Sequence, residues 1–232
     1  GQVIAIDGKQ LRGSHDRSSG KRAIYLVSAW ATANQLVVGQ QKVNDKSNEI
    51  TAIPELLKTL EISGCIITID AIGTQTKIAR LIVESEADYI LAVKENQPGL
   101  RAHLQKVLAG ATPQSFPAEA QYAKSVCKGH GRLEIRHCWV LADDNSINYV
   151  QQSQERWANL RCLIKVSCLR RPLGESLAPD SAPDDERYYI CSLPLSPQQA
   201  LDAIRSHWQI ENSLHWCLDI AFREDESRYR TG

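Results

Sequence analysis

The chain has 232 residues, enough for one large α/β domain or a smaller domain carrying an insertion, and either buries a sizeable core. Lys plus Arg and Asp plus Glu match at 27 each, so bulk charge gives no support to a protein that coats DNA, although cations in patches around an acidic centre stay open. There is no run of about 18 apolar residues and no basic-then-apolar start, which leaves a membrane span or a secretion signal unsupported.

Val3-Ile4-Ala5-Ile6 is a short apolar run followed by Asp7-Gly8-Lys9, which suits a buried strand ending in a polar turn. Two further strands are predicted at 23–30 and 35–41, joined by the turn-like Thr32-Ala33-Asn34. Ser47 is the expected N-cap of a helix over about 48–61, with Ile50, Ile53, Leu56, Leu57 and Leu60 at helical spacing and Gly64 ending it. Cys65 to Ile69 then reads as a continuous apolar strand running into Asp70, followed by a helix over about 74–85. A fifth strand (89–93) and a helix (100–108) complete the order β-β-β-α-β-α-β-α. Alternation in the second half implies parallel neighbours, with the loops after the strands on one edge of the sheet.

From about 113 the character changes to prolines, glycines and β-like runs at 132–141, 160–169 and 187–192, with an exposed loop expected at 172–186. A last helix is signalled by Ser196-Pro197 and predicted to run to about 222. The reading is therefore an α/β core over 1–112, a mostly β insertion over 113–195 and a C-terminal helix over 196–232 that completes the core. The seven cysteines are odd in number and lack C-x-x-C spacing, as expected of reduced packing residues in a soluble cytoplasmic protein. Methionine is absent and Gly1 leads almost directly into a β-like run, so an internal piece of a longer chain is expected.

Three acids stand out. Asp7 and Asp70 each follow directly on an apolar strand, where open α/β sheets place ligands, and the two converge if their strands are neighbours. Glu211 is expected mid-helix, with His207 and His215 four residues to either side on one face. Oxygen donors of this kind suit hard divalent cations such as Mg²⁺, and a pair of ions about 3.5–4 Å apart can serve both the attacking and the leaving oxygen of a phosphodiester. The competing readings are ordinary ones: a turn aspartate after each strand, and a surface glutamate paired with histidines. A zinc site from His207, Glu211 and His215 spreads its ligands over two turns.

The segments IAIDGKQLRGS (4–14), NDKSNEITAIPELL (44–57), ITIDAIGTQ (67–75), ILAVKENQP (90–98), KGHGRLEIR (128–136) and IRSHWQIENSLHWCLDIAFREDESRYR (204–230) together resemble the ISAs1 family of bacterial insertion-sequence transposases, which includes the H-repeat-associated proteins. The resemblance covers nearly the whole chain. It implies an RNase H-like mixed sheet with flanking helices and a mostly β insertion before the last helix, and it implies Asp7, Asp70 and Glu211 as the catalytic, metal-holding acids. Mg²⁺ is the expected cofactor, as two ions, with Mn²⁺ able to substitute. The implied partners are double-stranded DNA at transposon ends and target and a second copy as a homodimer on DNA; the implied location is the bacterial nucleoid. Related transposases carry Tyr, Arg and Lys seven before, four before and seven after the glutamate, where this chain has Ile204, His207 and Leu218. Two other outcomes stay open: a structure-specific nuclease on the same fold, and a catalytically silent DNA-binding remnant.

Candidate DNA contacts are Lys9 and Arg12 beside Asp7, Lys94 and Asn96 after the fifth strand, His207 in the arginine's place, and Arg132 and Arg136 on one strand face, where an Arg132-Glu134-Arg136 surface pairing is the alternative. Cys127, His130, His137 and Cys138 suggest a zinc knuckle, but adjacent residues of a strand point to opposite faces.

Overall fold

The opening apolar run does form a strand, but in the computed structural model it continues through Asp7 to Leu11 (β1, Val3–Leu11). The turn expected at 7–9 is absent because β2 (Ile24–Ala31) pairs antiparallel along the whole strand, out to Leu11↔Ile24. The structure describes residues 1–15, 23–44, 48–129, 131–152, 156–174 and 182–226. The chain groups into two compact units, Gly1–Ile90 with Ala203–Gly232, and Leu91–Asp202. These boundaries fall inside a strand and a helix, whereas the composition change placed them at 112 and 195.

In the first unit β3 (Leu36–Lys42) extends the antiparallel hairpin of β1 and β2. On the other side of β1 lies β4 (Ile66–Ile69), parallel to it, with β5 (Asp88–Val93) beyond. The order β3-β2-β1-β4-β5, antiparallel on one side of β1 and parallel on the other, is the RNase H-like arrangement. Helix α1 (Glu49–Leu57) buries Ala52, Ile53, Leu56 and Leu57. Its cap is Asn48, whose N–H donates to the Thr51 hydroxyl (3.3 Å); the expected cap, Ser47, lies outside the described residues. Helix α2 (Thr76–Glu84) buries Ile78, Ala79 and Ile82 on one face. Between β4 and α2 a 3₁₀ turn, Ala71–Gly73, presses into the core: a Cβ on Gly73 would lie 2.3 Å from Ile69 Cγ2 and 2.9 Å from Ile53 Cδ1.

The second unit holds α3 (Pro98–Val107), α4 (Asp144–Gln151) and an antiparallel run of β6 (Ala120–Gly129), β7 (Arg132–Leu141), β8 (Cys162–Pro172) and β9 (Asp185–Cys191). Its buried Lys165 ammonium donates to the Ala111 carbonyl (3.1 Å) and pairs with Glu186 (2.8 Å), so the cation is compensated as burial requires. Cys138, Cys162, Cys168 and Cys191 are buried and free, and burial pushes the Cys138 thiol up to about 12, as suits packing residues. Of the expected loop at 172–186, residues 175–181 lie outside the described residues.

The last helical stretch starts as expected. Ser196 Oγ accepts from the Gln199 N–H (3.3 Å) while Gln199 Oε1 accepts from the Ser196 N–H (2.9 Å), a reciprocal cap that launches α5 (Pro197–His207). It does not continue as one α-helix to 222. A turn at Trp208 is followed by a π-helical segment, Ile210–His215, and then by the short α6 (Trp216–Ile220). Among the described residues no helix is long and apolar enough to cross a membrane.

Candidate functional site

Parallel pairing of β1 with β4 runs in register from Val3↔Ile66 to Ile6↔Ile69. Asp7 and Asp70 each follow directly on the last pair of that register, Ile6 and Ile69, and the Asp70 charge bears on Asp7. Ala5, Asp7 and Lys9 alternate onto one face of β1. The C-terminal helix crosses this part of the sheet. His207 meets Thr68 of β4 (Nδ1···Oγ1 3.0 Å), Ile210 and Leu214 pack on Ala5 and Trp30, and His215 Nδ1 stands 3.6 Å from Asp7 Oδ2. Glu211 sits between these contacts, on the π-helical segment, and is exposed. Regular four-residue spacing predicts one face for His207, Glu211 and His215; in the structure the two histidines contact β4 and β1, and Glu211 is exposed on the π-helical segment while its charge acts on Asp7.

Electrostatics tie the acids together. Burial, then the charges of Glu211, Glu49 and Asp70, push Asp7 up to about 7 against one opposing hydrogen bond from the Gly8 backbone. His215 is pushed down by burial and by the Lys9 charge, so its contact with Asp7 is not an ion pair at neutral pH. Glu49, at the start of α1, is an acid that the pattern of the sequence did not single out. It accepts a hydrogen bond from the Tyr25 hydroxyl above Gly8, where a Cβ would stand 2.5 Å from the Tyr25 ring and 2.8 Å from Glu49 Oε1. A glutamate in the first turn of a helix directly following a long hairpin was the only signal available.

The candidate DNA contacts fare differently. Lys9 is held by Asp219 and lies 3.7 Å from Asp225, and the Arg12 backbone N–H donates to Asp225 (3.2 Å). His207, expected as a phosphate contact, is buried against Thr68 on the sheet side of the helix. In the second unit Lys94, Asn96 and Arg132 are exposed. Arg136 is paired with Glu134, which also accepts from Arg170 Nε (3.0 Å), so the strand stripe is an ion-pair network. His137 stacks between Tyr122 and Trp139, with the Tyr122 hydroxyl 2.7 Å from its Nδ1, while His130 lies outside the described residues.

Among the described residues no three His, Cys, Asp or Glu side chains are gathered as a ready-made metal cage, which holds for His207, Glu211 and His215 and for the three acids alike. What Asp7, Asp70 and Glu211 offer is donor type and charge. All donors are oxygens, the choice of a hard divalent cation, and such a cation would offset the burial and the neighbouring charges that hold Asp7 near 7. On both counts the residues fit.

An RNase H-like sheet with one aspartate on β1, another directly after β4, and a glutamate on the returning C-terminal helix is the order of elements that the likeness to DDE transposases implies. The family described as transposase DDE domain matches residues 1–232, and the chain belongs to it. It is 42% identical over 231 residues to the protein YbfL and 42% identical over 234 residues to YhhI, named as an H repeat-associated transposase, both of Escherichia coli K12. Each alignment takes in 99% of this chain and 59% of the relative, so the chain spans about three-fifths of the length of the curated relatives it matches. A piggyBac transposase synaptic complex with hairpin DNA aligns over 100% of the chain and 42% of its own at 12% identity, with a TM-score of 0.48. Transposases of this family generally use divalent metal ions.

Proposed function

We propose that the chain is the catalytic core of an ISAs1-type insertion-sequence transposase, which cuts double-stranded DNA at the element's ends and joins the freed 3′-OH to a target phosphodiester. Asp7, Asp70 and Glu211 hold Mg²⁺, as two ions, and Mn²⁺ substitutes. When bound, such ions supply Lewis-acid stabilisation of the attacking and leaving oxygens. What supports this reading is that the charges of Glu211 and Asp70 both act on Asp7, with Asp7 and Asp70 following directly on the paired residues Ile6 and Ile69.

With its value raised to about 7, Asp7 is only partly ionised near neutrality while no cation is present, so uptake of the ion is coupled to proton release. The three acids come from sequence positions far apart and meet only through the sheet and the returning helix. Residues 113–195 act as an insertion within this core, and the protein works as a homodimer on DNA in the nucleoid.

The test is calorimetric titration of Mn²⁺ into the wild-type protein and into Asp70→Asn, with cleavage and joining assayed on DNA carrying the element's own ends. Binding is expected to be lost in the variant and cleavage to fall by about 10²-fold or more. Cutting without joining turns the reading to a structure-specific nuclease. A folded wild type that binds no Mn²⁺ even with DNA present turns it to a silent DNA-binding remnant.

A further inference from the structure

The contacts between β1 and the C-terminal helix form a ladder. Along one face of the strand Ala5 carries Ile210 and Leu214, Asp7 faces His215, and Lys9 is bonded to Asp219. From Ala5 to Lys9 the strand advances about 13 Å and from Ile210 to Asp219 a helix advances roughly the same, so the two run side by side over the whole stretch. One end of the ladder is apolar and non-directional. The other end is ionic and specific.

That ionic end differs from an ordinary surface pair. The Lys9 side chain is 10% exposed, Asp219 is 35% exposed, and Asp225 stands 3.7 Å from the same ammonium. Asp225 also accepts the Arg12 backbone N–H and lies 3.7 Å from Arg12 Nε, so it ties Lys9 on β1 to the residue that follows the strand. The Lys9–Asp219 bond joins positions 210 apart in sequence. An isolated exposed pair contributes little. A half-buried, branched one that closes so long a span fixes a geometry.

We propose that Lys9 and Asp219 are positioning residues: their ion pair, reinforced by Asp225, sets the helix bearing Glu211 along the strand bearing Asp7, so that the third acid is presented to the first two. The proposal rests on the metal-site reading above and assigns Lys9 to the helix rather than to a DNA phosphate. Glu211 lies two turns before Asp219 on the same stretch. Without the ionic end, Ile210 and Leu214 anchor the helix only near Ala5, and its far end is free to swing away from Asp7.

The test has a metal-free and a metal-bound arm, both on the full-length protein. In the metal-free arm, amide hydrogen exchange over 210–220 is expected to quicken about tenfold in Lys9→Ala, and to return toward wild type in the charge-swapped Lys9→Asp with Asp219→Lys. In the other arm, Mn²⁺ affinity is expected to fall about tenfold in Lys9→Ala, with no further fall when the same change is made in Glu211→Gln, because the clamp acts through that acid. Unchanged exchange in Lys9→Ala overturns the clamp. Faster exchange with Mn²⁺ affinity intact, while Glu211→Gln still weakens it, overturns the positioning role and leaves a structural pair. If Glu211→Gln itself leaves Mn²⁺ binding unchanged, the metal-site reading fails and the positioning role falls with it. Equal losses in both backgrounds also overturn it, since they mark general destabilisation.

Discussion

Removing the charge of Asp7 should stabilise the metal-free fold, because that carboxylate is held in the native state at a cost. Its folded value stands at about 7 against 3.8 in the unfolded chain, the side chain is only 18% exposed, and burial leads the causes. A raised folded value means that the native state binds a proton more tightly than the unfolded state. Its stabilising effect is complete below about 3.8 and is lost as pH climbs through about 7. A difference of about three pH units corresponds to about 4 kcal/mol. Asp7→Asn keeps the shape and deletes the ionisation. With a chelator present, denaturant unfolding at pH 8 should show the variant about 2–4 kcal/mol more stable than the parent, or about 5–15 °C higher in Tm. At pH 4 the two should agree within about 1 kcal/mol. Saturating Mn²⁺ should then narrow the gap at pH 8 by stabilising the parent alone. A variant less stable than the parent at pH 8, or a gap of equal size at both pH values, would refute the reasoning.

Glu49→Gln should bring the Asp7 titration down toward the usual carboxylate range, because Glu49 is one of the charges that raise it; carboxyl-carbon NMR on the metal-free protein reads this directly, and an unmoved Asp7 rules out the Glu49 contribution. Gly73→Ala should cost about 1–3 kcal/mol in thermal or denaturant melts, since its new methyl would press on Ile69 and Ile53, both buried; a neutral result means that the turn behind Asp70 can shift freely.

Much of the fold could be read before any coordinates, for reasons of periodicity. Cys65-Ile66-Ile67-Thr68-Ile69 has no polar break, and the strand it announces is buried at every position of β4. Ser196-Pro197 marked the start of α5 because the hydroxyl accepts from one otherwise unpaired N–H, that of Gln199, and a proline at N1 has no N–H to leave unpaired. Two elements escaped. The strand β6 carries Lys124, Ser125 and Lys128 among its apolar residues, so its alternation is blurred, and α4 is only eight residues long, although Asp143 capping Ser146 (2.9 Å) was a usable sign. The length of β1 was also missed, because a polar Asp-Gly-Lys run looks like a turn until a partner strand is known to lie beside it.

By itself the sequence determined most of the elements, the order β-β-β-α-β-α-β-α of the first half and the three acids worth weighing, since each of these depends on neighbours within a few residues. Only the tertiary structure decided which of those acids share a field, that Glu49 joins them, that His207 turns inward to Thr68, and that Lys9 is taken by Asp219. Those outcomes depend on strand register and on where a helix some 200 residues later comes to rest. Local propensity carries no information about either, because long-range contacts are chosen by packing and charge after the elements have formed.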